Sequence, residues 1–228
     1  MASYAMSDLH GDRDRFHRML RLIDFSAQDR LYVIGDVVDR GADGVGLLQD
    51  IRAAKNITLL LGNHEEMCLR YHAPDATERV INHWNRNRNA PTLAGLARLT
   101  AEEKADLLSW LAALPAHLEV QVGERTFYMV HGFPGETVHE QVWLRPQPDT
   151  PNPFPGKTLL IGHTPVVNLG RTDEEADVLL DEMAARGEHL RIYHAPGFLD
   201  LDCLCGYDEY PARRLACLRL DDMQEFYC

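Results

Sequence analysis

The first half of the chain repeats one pattern: a short apolar run of strand character, a polar glycine-bearing block, then a segment of helical period. That alternation argues for an α/β layered fold, in which the loops after successive strands gather at one edge of a sheet. Tyr4 to Ser7 is the first expected strand. Asp12 can cap the helix that follows, and Phe16, Met19, Leu20 and Ile23 fall at i, i+3, i+4 and i+7 to form one apolar stripe. Leu31 to Gly35 and Ile57 to Leu61 are the next two strands, and a helix after Asp43 turns Leu47, Leu48 and Ile51 inward.

The rest of the chain departs from this rhythm. Residues from about 74 to 99 are polar, rich in Asn and Arg and weakly periodic, which suggests a helical excursion at the periphery. Thr100 and Glu103 have capping-box spacing for a helix that Pro115 ends. Leu118, Val120 and Val122 alternate with polar residues, and Gly123-Glu124 can turn the chain into a strand over Thr126 to Val130. The prolines from Pro146 to Pro155 make a stiff loop. Lys157 to Ile161 is another strand, Thr172 with Glu175 opens an acidic helix, and Arg191 to Tyr193, Phe198 to Leu204 and Leu215 to Leu220 read as closing strands. The expected organisation is one domain over 1–228, with a peripheral helical segment at about 74–114 and an acidic helical insert at about 170–191.

A chain of 228 residues with 45% hydrophobic content can bury one sizeable core without staples. Its net charge of -12 disfavours nonspecific attraction to nucleic acid or an anionic membrane, so an anionic substrate must meet a local positive site. Five cysteines, an odd number, fit a reducing compartment better than a disulfide framework, and Cys203-x-Cys205 lacks a second pair at zinc-ligand spacing. No charged-then-apolar leader and no apolar run near the roughly 20 residues of a membrane span is visible. The expectation is a cytoplasmic protein with neither membrane nor nucleic-acid partner, and a monomer.

Polar blocks follow the expected strands: Ser7-Asp8-Leu9-His10-Gly11, Gly35-Asp36-Val37-Val38-Asp39-Arg40-Gly41, Gly62-Asn63-His64-Glu65, His131-Gly132 and Gly162-His163-Thr164-Pro165. On extended backbone Asp8 and His10 point to the same side and can grip one ion. Asp36 can bridge two ions, and Asn63, His131 and His163 supply neutral ligands to the second. Carboxylate and amide oxygens mixed with imidazoles suit Mn, Fe or Zn rather than Ca. Two divalent cations, two carboxylates and a bridging hydroxide would leave about one positive charge to attract phosphate.

All five blocks, in this order, resemble those of the phosphoprotein phosphatase family within the calcineurin-like metallophosphoesterases, most closely its small bacterial and phage members. The resemblance implies a sandwich of two mixed β-sheets flanked by helices. It implies a dinuclear centre held by Asp8, His10, Asp36, Asn63, His131 and His163, with Mn2+ the expected metal. Arg40, and Arg145 in Trp143-Leu144-Arg145, would bind phosphate oxygens, while His64 would protonate the leaving alkoxide with Asp39 as its partner. The implied activity is removal of phosphate from phosphoserine or phosphothreonine, and from phosphotyrosine as a further option, in a protein or peptide by a metal-bridging hydroxide. The alternative is a symmetrical diadenosine tetraphosphate hydrolase or another small-molecule phosphoesterase; a non-catalytic binding module fits the full ligand set poorly.

Two departures from the family pattern stand inside the blocks. Ser7 replaces a frequent Gly, which should touch backbone geometry rather than ligation, and Thr164-Pro165 lacks the further metal-binding His of many nucleases and diesterases. Bland readings cover much of the remainder: His17, His72, His83, His117, His139, His189 and His194 read as surface or satisfied core residues. Glu65 reads as a cap or loop anchor, and Arg86 and Arg88 as a solvated face.

Overall fold

The computed structural model describes all of residues 1–228. The expected strands form, the first displaced by one residue and the next two slightly shortened: β1 (Ser3–Met6), β2 (Arg30–Val33) and β3 (Ile57–Leu59) pair in parallel. Beside β1, β9 (Ala216–Arg219) and β10 (Gln224–Tyr227) add antiparallel, giving a five-stranded sheet in the order β10-β9-β1-β2-β3. A second five-stranded sheet has the order β4-β5-β6-β8-β7. It comprises β4 (His117–Val122), β5 (Arg125–Val130), β6 (Lys157–Ile161), β7 (Tyr193–His194) and β8 (Leu199–Asp200). Here β5, β6 and β8 run parallel, with β4 and β7 antiparallel at the edges. Both sheets are therefore mixed, as the two-sheet α/β expectation requires.

The period-2 rule explains which face each residue takes. Tyr4, Met6, Leu31, Val33 and Leu59 pack outward against helices, whereas Ala5, Tyr32, Ile34 and Leu60 pack inward against Phe127, Met129 and Leu160 of the second sheet. The helices over the first sheet are α1 (Arg13–Leu22), α2 (Gly44–Ala53) and α3 (Asn63–His72). Asp12 accepts from the Arg15 N–H and Asp43 from the Gly46 N–H, so both first turns are capped by the residues that sequence spacing singles out. Phe16, Met19 and Ile23 are buried along α1, as the stripe predicts, while Leu20 stays half-exposed.

The Asn- and Arg-rich stretch forms α4 (Glu78–Arg86) and α5 (Ala90–Leu96), followed by α6 (Ala101–Ala112). It is less peripheral than its polarity suggests, because Trp84, Thr92 and Leu96 are buried. The acidic helix α8 (Asp173–Arg186) buries Ala176 and Leu180 and leaves its carboxylates in solvent. Two elements were not foreseen. The short helix α7 (Val138–Trp143) opens at Thr137 with a capping box to Glu140, a signal hidden between Gly and Pro residues. The strand β10 carries little alternation of its own and forms by pairing with β9. The three closing strands are also shorter than expected, and no helix is long and apolar enough to cross a membrane.

Phe127 is fully buried where the two sheets meet. Phe127→Ala should lower unfolding free energy by about 4 kcal/mol, the usual scale for truncating a buried aromatic. Urea denaturation checks this, and a loss below about 1 kcal/mol would show that inter-sheet packing is not limiting.

Candidate metal centre

The parallel strands of both sheets end at one edge, and the polar blocks follow those ends. Asp8 and His10 come after β1, Asp36, Asp39 and Arg40 after β2, and Asn63 and His64 at the start of α3. From the second sheet come His131 after β5 and His163 after β6. This carboxyl edge is the usual ligand-binding edge of an α/β sheet.

The backbone that delivers these side chains is not extended. Asp8, His10, Asp36, Asp39, Arg40 and His163 all have positive φ, between 42° and 72°. The expectation that Asp8 and His10 converge through strand geometry is thus corrected: they converge because tight left-handed turns aim them. A non-glycine residue resists this conformation through its Cβ, at a cost of order 1 kcal/mol each. Specific hydrogen bonds hold the turns. His10 N donates to Asp36 O at 2.9 Å, Gly11 N to Val37 O at 2.7 Å and Gly41 N to His10 O at 2.8 Å. Gly35, at φ 77°, lies so close to the Gly62 backbone and the His131 ring that a Cβ has no room.

Glu65 is the anchor of this arrangement. Its Oε2 accepts the backbone N–H groups of Asp36 at 2.9 Å and Gly62 at 3.0 Å. Its Oε1 accepts those of Val37 at 2.8 Å and Val38 at 3.2 Å. One fully buried carboxylate therefore ties the loop after β2 to the start of α3. Both readings of Glu65 hold, since it caps α3 through the Gly62 N–H and anchors the loop after β2.

The donor atoms themselves cluster. His131 Nε2 lies 3.2 Å from Asp36 Oδ1 and 2.9 Å from Asn63 Oδ1, and His163 Nδ1 lies 2.8 Å from the same Asn63 oxygen. On the other side of Asp36, its Oδ2 is 3.6 Å from His10 Nε2, which is 3.8 Å from Asp8 Oδ1. Ligand atoms around one ion with bonds near 2.1 Å stand about this far apart. The opposite ring nitrogens are already committed, since His131 Nδ1 donates to Ile34 O at 2.7 Å and His10 Nδ1 to Val38 O at 3.0 Å. Those bonds fix the tautomer that leaves Nε2 with a lone pair facing the cluster, the arrangement typical of metal-binding histidines.

Electrostatics also asks for a cation. Asp8, Asp36 and Asp202 are each at most 3% exposed. Burial, then Asp202, pushes the Asp8 carboxyl well above the usual range. Burial alone would lower His131, but Asp36 and Asp8 outweigh it and hold the imidazole up at about 10, a demand for positive charge that a metal ion would meet. His163 Nε2 is buried without a hydrogen-bond partner, and Asp200 Oδ2 is likewise unpaired. Buried carboxylates and lone pairs crowded in this way are stable only with compensating positive charge. The residues present fit divalent metal ions.

His64 and Arg40 sit over the cluster. His64 Nδ1 is 2.6 Å from Asp39 Oδ2, and Nε2 points back toward Asp36 Oδ2 at 3.8 Å. Asp39 is fixed by residues that sequence reasoning missed: Trp84 Nε1 donates to its Oδ2 at 2.6 Å and Thr92 Oγ1 to its Oδ1 at 2.6 Å. These partners lie some fifty positions away in the polar stretch, where no motif marks them. Arg40 reaches His10 Nε2 at 2.6 Å and His64 Nε2 at 3.3 Å, and its guanidinium lies 4.2 Å over the Tyr207 ring. Arg145 is exposed at the rim and makes no ion pair. Asp39 and Arg40 do not pair with each other as a simple turn would have them do; they act on different partners.

Ser7 also corrects an expectation. Its Oγ lies 2.6 Å from Asp8 Oδ2, so it orients a donor carboxylate rather than merely permitting a turn. Arg88 is no bare solvated cation but pairs with Glu209 beside Tyr207. Asp202, buried in the wall of the recess, is a further missed residue; the strand expected over Phe198 to Leu204 ends at Asp200, which leaves Asp202 in the loop beyond β8. Cys203 and Cys205 are buried free thiols with no ligand role.

The cluster closes a recess of about 60 Å³. It shares Arg145, Pro165 and Tyr207 with a cleft of about 790 Å³, and Trp143 with another of about 650 Å³.

The sequence profile of the family described as calcineurin-like phosphoesterase matches residues 1–196. A relative from Acidovorax sp. (strain JS42), named bis(5'-nucleosyl)-tetraphosphatase, symmetrical, is 35% identical over 133 residues, which are 58% of this chain and 43% of the relative. The match thus spans less than half of that relative's length. Among solved structures, a candidate diadenosine tetraphosphatase superposes with a TM-score of 0.63 at 18% identity, covering 99% of this chain and 92% of the other. A serine/threonine phosphatase from Saccharomyces cerevisiae superposes at 0.59 with 12% identity, over 100% of this chain and 79% of the other. These two likenesses establish the shared fold.

Glu65→Gln changes no shape but turns an amide NH2 toward two of the four backbone N–H groups. It should cost about 3 kcal/mol of stability, the scale of leaving buried donors unpaired at a charged acceptor. Denaturant unfolding measures this, and a variant within about 0.5 kcal/mol of the parent would remove Glu65 from its anchoring role.

Proposed function

The chain belongs to the calcineurin-like phosphoesterases, and from that premise we propose that it is a dinuclear-metal hydrolase of symmetrical bis(5'-nucleosyl) tetraphosphates. The shape around the donor cluster carries this reading. A recess of about 60 Å³ admits phosphate groups only, whereas the adjoining 790 Å³ cleft has the size and lining of a nucleoside site. Tyr207 and Tyr210, with ring centroids 6.1 Å apart, offer aromatic surface there, and Arg145 and Arg171 offer positive charge alongside Asp173, Glu175 and Asp177. The name of the relatives, bis(5'-nucleosyl)-tetraphosphatase, supports the same substrate class. We read residues 1–228 as one catalytic domain, in which the 170–191 insert walls this cleft.

In this proposal Asp8, His10 and Asp36 hold one ion, and Asp36, Asn63, His131 and His163 the other. Divalent ions so held lower the pKa of a water molecule and neutralise phosphate charge. The mixed oxygen and imidazole set suits Mn2+, with Fe or Zn as alternatives. Arg40 and Arg145 then bind oxygens of the attacked phosphate, which planar guanidinium groups do two at a time. Tyr207 beneath Arg40 keeps that side chain over the recess. The oxygen of water joins phosphorus, the bond to the departing half breaks, and His64 gives that half a proton from Nε2 while Asp39 holds Nδ1. Cleavage at the centre yields two nucleoside diphosphates. Five cysteines, all unpaired, fit a reducing compartment, and we place the enzyme in the cytoplasm.

A second reading, hydrolysis of phosphoserine, phosphothreonine or phosphotyrosine in proteins, is favoured by one observation. The buried His64–Asp39 pair suits an alkoxide, a poor leaving group that needs its proton more than a nucleoside diphosphate does.

A parallel assay with Mn2+ on diadenosine tetraphosphate and on the three phosphopeptides separates the readings; turnover of phosphopeptides alone would refute the first. His64→Asn should slow alkyl phosphates about 100-fold or more and activated aryl esters much less; equal losses would remove the acid role. Asp36→Asn should weaken both ions in calorimetric titration, and two ions still tightly held would end its bridging assignment.

A further inference from the structure

The recess adjoins a second cleft on its other side, and the proposed reaction leaves that cleft without a task. It measures about 650 Å³ and lies where α3, α4 and α7 meet, with Trp143 forming a wall common to it and to the recess. Such a volume falls within the range of sites for drug-sized ligands, about 300–1,000 Å³. Trp143 stands edge-on to His163 with ring centroids 5.8 Å apart, so the indole links the donor cluster directly to this cleft.

The lining carries both signs, Arg70 and Arg79 against Glu66 and Asp75, in a chain of net charge -12. Arg70 and Arg79 border the cleft; Arg79 has no ion-pair partner, and the carboxylate nearest Arg70 is that of Glu66, at 3.7 Å. Glu66 is itself occupied, accepting from Trp143 Nε1 and lying 3.0 Å from His139 Nδ1. Its carboxylate, although part of the lining, is thereby shared among Trp143, His139 and Arg70. Burial, followed by Arg86, Arg70 and Arg79, holds the His83 imidazole below its ordinary range. Trp143, flanked by His83 at 5.3 Å, adds an aromatic surface of the kind that packs against a nucleobase.

A symmetrical dinucleotide has identical halves on either side of the attacked bond. One nucleoside cleft beside the recess can position only one half, and a receptor for the other half would fix the central bond over the donor cluster. We propose that the cleft between α3, α4 and α7 binds the second nucleotide half, with Arg70 and Arg79 on its phosphates and Trp143 against its base. The inference rests on the dinucleotide reading above and adds the substrate geometry to it.

The test uses the full chain with Mn2+. Arg70→Ala/Arg79→Ala should lower the ratio of kcat/KM on diadenosine tetraphosphate to that on p-nitrophenyl phosphate about tenfold, mostly through KM, as expected for a lost charge-assisted bond to phosphate. An unchanged ratio would overturn the second site. Binding gives an independent readout: ADP titrated into His64→Asn protein should perturb Trp143 fluorescence, identified by its loss in a further Trp143→Phe variant. Adding Arg70→Ala/Arg79→Ala should then weaken that titration about tenfold, whereas an unchanged ADP affinity would place the nucleotide elsewhere. Should the double variant lose its cooperative melt, Arg79→Gln alone serves both measurements. If the parent enzyme does not cleave diadenosine tetraphosphate, the dinucleotide reading itself fails; if it does and the ratio holds, only the second site fails.

Discussion

Everything at the functional edge follows from burying acidic groups beside one another. Asp8, Asp36 and Asp202 lie together below 4% exposure, with Asp200 behind them. Taking carboxylates out of water is expensive, and mutual repulsion adds to it. The structure answers with imidazoles whose far nitrogens are locked to main-chain carbonyls and whose near nitrogens face the acids. The guanidinium of Arg40 meets part of the demand. Divalent ions would meet all of it, which is why a donor set of this composition is better read as a metal centre than as a network of ion pairs.

That crowding dictates the backbone. Side chains from both sheets can reach a common point only if the loops turn back sharply, and the positive φ angles at Asp8, Asp36, Asp39 and His163 are the result. Several kcal/mol of local strain must be offset nearby. Glu65 does much of this by accepting four N–H groups that the turns leave without main-chain partners. Trp84 and Thr92 do the same for the acid that orients His64. The helical stretch that looks peripheral in sequence therefore bears on the chemistry through two side chains.

Legibility in the sequence divides along physical lines. The sheet strands and capped helices could be read because periodicity and caps are local, as Phe16, Met19 and Asp12 show. The convergence of the polar blocks could be read because each directly follows a strand. What could not be read depends on distant pairing: β10 exists only against β9, and Trp84 meets Asp39 across 45 positions. The geometry of Asp8 and His10 was misjudged for a related reason, since an i, i+2 spacing does not reveal whether the backbone is extended or left-handed. α7 was missed although its Thr137–Glu140 box is local, because the segment is short and flanked by breakers.

Substrate choice is where local chemistry and overall shape must be weighed together. The donor cluster and Arg40 would serve any phosphate ester or anhydride, and the His64–Asp39 pair, although suited to an alkoxide, would also protonate a diphosphate, so these groups discriminate weakly. Discrimination falls to what the recess opens onto, and here it opens between two large clefts rather than onto a flat surface. An acidic protein repels polyanions at long range, so local arginines would matter to any polyphosphate, although Asp173, Glu175 and Asp177 line one cleft and Glu66 and Asp75 the other. Arg145 and Arg171 stand on one side of the recess and Arg70 and Arg79 on the other. A single phosphorylated side chain would use the recess and leave one or both flanking pairs idle, whereas a chain of phosphates with a nucleoside at each end would engage them all.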